Sequence, residues 1–192
     1  MPMLSPLKRE KKFYNHFDFL VKTSHPAIIT PVSSNIGTGH LYNLLDNLRK
    51  RAYRPIVYLH TDIIPVEGTQ CDLLSCPKDV VEMANQYPDF YFVMAHCGRW
   101  CHATERDIAD VKNVYIDTSI APLFLIIKSL GVVGKDRVVF GSDYPYSHPK
   151  IELQKIQLLP VPESVREAIL FRNFQKLVSY VSDSSDVAVG FS

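Results

Sequence analysis

The sequence lacks any long apolar run: none reaches the ~18 residues that a bilayer-spanning helix needs. Its basic beginning, MPMLSPLKREKKF, has no apolar stretch behind it of the kind a secretory leader carries, so export is not expected. Charge imbalance is also missing. The 21 lysines and arginines against 20 aspartates and glutamates leave a net charge of +1, which offers no electrostatic footprint for nucleic acid or an anionic membrane. Four cysteines in 192 residues do not make a disulfide scaffold, so a reducing, cytoplasmic setting is the expectation. Neither GxGxxG nor GxxxxGK[ST] occurs, and with them goes sequence support for a nucleotide-phosphate loop. No internal repeat is found.

What is present is enough apolar material for one core, 46% of the chain. We read residues 1–182 as a single domain with an irregular segment at 1–24, and residues 183–192 as a flexible tail. Between them, short β-rich runs alternate with helical spacing. AIITPV (27–32), PIVYLH (55–60), DFYFVMAH (89–96), NVYIDTS (113–119) and DRVVFGSD (136–143) read as strands. GHLYNLLDNLRKRAY (39–53), SCPKDVVEMANQYP (75–88, with Ser75 as its cap), CHATERDIADVK (101–112), APLFLIIKSLGV (121–132, stopping near Gly131) and VPESVREAILFRNFQKLVSYV (161–181) read as helices. Within the fourth helix, Leu123, Ile126, Ile127 and Leu130 form the expected core stripe. The strands are apolar along their whole length, as parallel strands covered on both faces are. The class is therefore α/β with about five parallel strands; a doubly wound sheet and part of a (β/α)8 barrel both fit.

Three of the strands end on a polar residue: His60, His96 and Asp143. In parallel α/β folds the carboxyl ends of the strands form the ligand face. One histidine at such an end is usually a hydrogen-bonded structural group, and one aspartate is often a helix cap. Three together describe a shared site. Imidazole and carboxylate are ligands for zinc, manganese or iron(II), and they are also the groups that move protons near neutral pH.

PIVYLHTD, YPDFYFVMAHCGRW, NVYIDTS, DRVVFGSDYPY and REAILFRNFQKLV, in that order, resemble the second half of the amidohydrolase-related family. This is the branch of the amidohydrolase superfamily that includes aminocarboxymuconate-semialdehyde decarboxylase and dicarboxylate lactonases. The most specific element is G-S-D-Y-P after an apolar strand, followed by a helix holding Asn173; His96-Cys97-Gly98 matches the family's H-x-G. The resemblance implies an incomplete (β/α)8 TIM-type barrel. It implies a metal-dependent hydrolase, or a related decarboxylase, acting on a small carboxylated or cyclic substrate. His60 would bind the metal, and His96 would act in acid–base catalysis or bind a second metal. Asp143 would contact the metal and take a proton from the water that the metal activates. Gly141 would let the chain bend at the mouth and Pro145 would hold the outgoing loop. The cation would be zinc before manganese or iron. Arg99, on the loop after His96, would hold a substrate carboxylate, and His148 would line the pocket mouth.

The chain departs from the family in one respect. The first-strand His-x-His is missing; His16-Phe17-Asp18 approximates it but lies too close to His60 to leave room for the intervening strands. A whole barrel takes about 250 residues, against 192 here, so the first two or three β/α units are expected to be absent. An open barrel exposes a strand edge and apolar surface. Either residues 1–30 or a second copy, as a homo-oligomer, should cover them. Two alternatives follow. The chain could be a catalytically inactive subunit with an interaction or regulatory role. Or Cys71, Cys76, Cys97 and Cys101, with His102, could hold a structural zinc.

Overall fold

The computed structural model describes residues 28–29, 39–61, 77–99 and 105–184. The expected irregular segment 1–24, the His16-Phe17-Asp18 pair, the Ser75 cap, Cys71, Cys76, Cys101, His102 and residues 185–192 of the expected tail lie outside the described residues, while its first two residues, 183 and 184, end a helix. In chain order the elements are β1 (Ile28–Ile29), α1 (Gly39–Lys50), β2 (Ile56–Leu59), α2 (Pro77–Gln86) and β3 (Tyr91–Met94), then α3 (Glu105–Asp110), β4 (Val114–Asp117), α4 (Leu123–Val133) and β5 (Val138–Val139). After β5 come α5 (Pro149–Gln157), α6 (Glu163–Glu167), a π-helical segment (Ala168–Arg172) and α7 (Asn173–Ser184).

The five strands are parallel and lie in the order β1-β2-β3-β4-β5. That order separates the two architectures left open above. A doubly wound sheet reverses its strand order at a switch point, whereas strands that follow one another without reversal are the wall of a (β/α)8 barrel. The fold is an incomplete barrel.

Alternation along each strand sends residues to two faces. Val57, Leu59, Phe92, Met94, Val114, Ile116 and Val138 pack against the crossover helices in the larger core. Ile56, Val93, Tyr115 and Val139 point the other way, into what would be the barrel interior, and are buried together with Leu177 of α7. Phe174 and Val178 pack beside it, and Tyr180 stacks on Tyr91 with ring centroids 5.4 Å apart. The C-terminal helix thus covers the lower part of the inner face. The apolar surface that an open barrel was expected to expose there is buried within the chain itself, by α7.

Three local expectations need correction. α4 passes through Gly131 and stops at Gly134, whose N–H still donates to the Leu130 carbonyl at 3.1 Å and whose φ of 81° turns the chain out of the helix. A glycine inside a helix costs about 1 kcal/mol, which the packing of this helix overrides. Of its expected core stripe, Ile126 is buried and Leu123 and Leu130 pack against the core, but Ile127 is 42% exposed, and the fully buried positions include Leu125, Ser129 and Val133. Nearly every residue of this helix is apolar, so periodicity alone could not choose the face. Finally, β5 pairs over two residues only, and on its other side the Phe140 N–H donates to the Ile169 carbonyl at 2.9 Å.

Candidate active site

β2 and β3 deliver their histidines side by side. His96 Nε2 and His60 Nδ1 are 3.2 Å apart, with the rings edge to face at 77°. His60 is exposed at the mouth and His96 is 3% exposed beneath it. The Thr61 hydroxyl donates to the Ala95 carbonyl and so clips the two strand ends together.

The chain after β3 turns through three consecutive left-handed residues, His96 (φ 56°), Cys97 (φ 54°) and Gly98 (φ 67°). Glycine takes this conformation without cost, and at 98 an added Cβ would meet Met94 Cε at 3.0 Å. The other two pay about 1–2 kcal/mol each. Ile120 (φ 52°), after β4, and Asp143 (φ 54°), after β5, are also left-handed. Strain of this kind gathers where a site needs side chains aimed against local preference.

Under the histidine pair lies a carboxylate. Asp117, the last residue of β4, is buried, and its Oδ1 accepts from the Ser119 N–H (2.8 Å), the His96 N–H (3.4 Å) and the Ser119 hydroxyl. The Tyr58 phenol favours the charged form of the same carboxyl group. Burial pushes the Asp117 carboxyl above the usual carboxylate range, and the hydrogen bonds from Ser119 and Tyr58 pull the other way. The Tyr58 phenol is pushed up first by burial, then by the charges of Asp117 and Asp143. Ser119 closes the cluster: its carbonyl is 3.1 Å and its hydroxyl 3.0 Å from His96 Nδ1. Gly141 has its reason here as well. A Cβ at that position would fall 1.7 Å from Asp117 Oδ2, so the glycine of G-S-D makes room for a neighbouring carboxylate.

The amidohydrolase family pattern matches residues 8–178. The chain belongs to the amidohydrolase family. No curated protein matches it by sequence. Among solved structures, this amidohydrolase-family chain is similar to an uncharacterized TIM-barrel protein from Bordetella bronchiseptica, at 17% identity and a TM-score of 0.72, over 90% of this chain and 63% of that one. It is similar to 5-carboxyvanillate decarboxylase from Novosphingobium aromaticivorans, solved with manganese and 4-hydroxy-3-methoxy-5-nitrobenzoic acid, at 14% identity and a TM-score of 0.62, over 93% and 63% of the two chains. For 2,6-dihydroxybenzoate decarboxylase from Rhizobium the values are 15% and 0.53, over 71% and 54%. The chain therefore spans less than two thirds of the length of these structures.

For an amidohydrolase-family site, the candidate residues are only partly assembled. His60 and His96 are paired. Asp143 lies on the same rim, where its charge bears on Tyr58 and its carbonyl accepts the Tyr146 N–H at 2.8 Å, closing the turn. Two imidazoles and a carboxylate suit a divalent cation in kind. In number they fall short: among the described residues no three His, Cys, Asp or Glu side chains converge to hold an ion. Arg99 ends the turn after β3, and its side chain lies outside what is described. His148 caps α5, its Nδ1 accepting from the Lys150 N–H at 3.2 Å. The thiol of Cys97 is buried and pushed up to about 12 by that burial; the other three cysteines and His102 lie outside the described residues.

Sequence reasoning missed four members: Tyr58, Asp117, Ser119 and Glu152. Asp117 carried the signal already used for Asp143, an apolar strand closing on a carboxylate. Glu152 carried none. It is buried, accepts from Ser147 Oγ (2.6 Å), the Ile120 N–H (3.2 Å) and Lys155 Nζ (2.8 Å), and so pins the strained loop that presents Ser119.

Proposed function

We propose that this chain carries the proton-handling part of a metal-assisted site acting on a small carboxylated ring, by decarboxylation or hydrolysis. The observation that carries this reading is the His60–His96 pair, 3.2 Å apart at the carboxyl ends of adjacent strands and backed by a buried carboxylate. Membership of the family supports the reaction class, and the decarboxylases among the similar structures support the carboxylated ring. His60 and Asp143 would hold a divalent cation, zinc or manganese, whose contribution is to polarise an oxygen of the substrate or of water. His96, shielded from bulk solvent, exchanges a proton with the reacting atom through Nε2. Arg99 would orient the substrate carboxylate. A second copy of the chain remains our proposal for the open strand edges.

The test is metal content of the purified protein after loading with zinc or manganese, set beside His60→Ala and Asp143→Ala. Retention in the wild type and loss in both variants is expected, followed by carbon dioxide release or hydrolysis from a panel of hydroxybenzoates and cyclic carboxylates. Equal metal in all three proteins would remove the enzyme reading. It would favour the second one, a catalytically inactive interaction subunit, which the missing third ligand among the described residues also supports.

A further inference from the structure

We propose that the Ser119 carbonyl fixes the tautomer of His96, with the proton on Nδ1 and the lone pair on Nε2, and that Asp117 supports it by holding the Ser119 hydroxyl proton away from that nitrogen. This deepens the reading of His96 as the proton-handling group and rests on it. The argument is one of donors and acceptors. The Ser119 carbonyl, 3.1 Å from His96 Nδ1, can only accept. The Ser119 hydroxyl, 3.0 Å from the same nitrogen, has a single proton and gives it to Asp117 Oδ1. Towards the ring it therefore offers a lone pair. A nitrogen facing two acceptors must carry the proton. In the neutral ring the lone pair is then on Nε2, which meets His60 Nδ1 at 3.2 Å.

Asp117 is committed to accepting. The N–H groups of His96 and Ser119 and the Ser119 hydroxyl all donate to its Oδ1. The surroundings keep the relay in register. Gly141 leaves space for the carboxylate, and Glu152 holds the Ile120 N–H at 3.2 Å, one residue beyond Ser119. Asp117 is a positioning residue, since it acts on the site through Ser119 and His96.

The experiment reads the ring nitrogens of His96 by long-range 1H–15N correlation in metal-free, 15N-labelled protein at a pH where the ring is neutral, with assignment by His96→Ala. The wild type should show the protonated nitrogen at Nδ1. In Asp117→Asn the carboxamide can donate to Ser119, whose hydroxyl then turns its proton to Nδ1. The Nδ1–H pattern should be lost in favour of Nε2–H, as an aspartate-to-asparagine change does in a serine-protease triad. Ser119→Ala keeps the carbonyl and should keep Nδ1–H. A folded Asp117→Asn protein with unchanged tautomer overturns the proposal, and so does a wild type protonated at Nε2. If Asp117→Asn does not fold, the wild type still decides. A slowly exchanging Ser119 hydroxyl proton, lost in Ser119→Ala, is expected, and its absence overturns the relay. Because every readout uses metal-free protein, failure here is separate from failure of metal binding.

Discussion

At the amino ends of the strands, polar side chains serve the backbone; at the carboxyl ends, they serve one another. Arg137 donates to the carbonyls of Ile108, Ala109, Val111, Val114 and Val133. Asn113 holds those of Ala84, Tyr87 and Phe90, and Asn173 those of Lys135 and Val138. These bonds tie off helix ends and strand starts that would otherwise leave buried acceptors unpaired. On the opposite rim, His60, His96, Ser119, Asp117 and Tyr58 form a cluster of titratable and hydroxyl groups. There four non-glycine residues stand at positive φ, His96, Cys97, Ile120 and Asp143, against Ala52 alone before the start of β2 among the described residues. One rim holds the sheet together and the other carries strain to aim side chains. The division of a barrel into a stabilising face and a functional face is thus already present in five strands.

Removing Arg137 should break the comparison most severely. Arg137→Ala leaves several carbonyls without their donor and should cost about 3 kcal/mol, read as a lower urea midpoint; a change within error would mean that water replaces the guanidinium. Gly141→Ala probes the other rim. Its Cβ meets a carboxylate already fixed by donors, so overpacking of about 1–3 kcal/mol is expected, together with displacement of the His96 ring signals. Ile120→Gly should go the opposite way. Relief of a left-handed β-branched residue should raise stability by about 1 kcal/mol, and a loss there would show that Ile120 packing outweighs its strain.

The smallest effect is in pH. Asp89, beside the amino rim, is pushed up by burial, but hydrogen bonds from Arg49 and Arg54 carry it below its ordinary value of 3.8. It stabilises above that value, and the contribution is lost as pH falls through the lowered pKa. Asp117 is raised, so the native state binds more protons, and its contribution falls as pH rises from 3.8 through the raised pKa. Urea midpoints measured across the acid range should therefore lose their acid-side slope in Asp89→Asn and their alkaline-side decline in Asp117→Asn. Identical slopes in the two variants would mean that the rims do not differ electrostatically.

The strand ends were legible because burial on both faces makes a strand apolar throughout, so His60 after β2 and His96 after β3 stand out; Asp143, expected at the end of its strand, lies four residues beyond Val139, where β5 stops. Asp117 ended its strand in the same way yet drew no notice, since the family pattern carried its neighbours and not its role. Ser119 and Glu152 could not be read at all. Hydroxyls and carboxylates in loops are common, and only folding brings Ser119 beside an imidazole 23 residues away or Glu152 beneath Ile120, 32 residues away.

By itself the amino-acid order determined the alternation of strand and helix, the parallel class and the face on which polar residues gather, because these follow from local periodicity and from which positions can be buried. Only the tertiary structure decided that the strands run without reversal, that α7 turns in to cover the inner face, and that Gly141 is a space for Asp117. Those outcomes depend on which surfaces meet, and pairwise contact between distant segments leaves no mark on either segment alone.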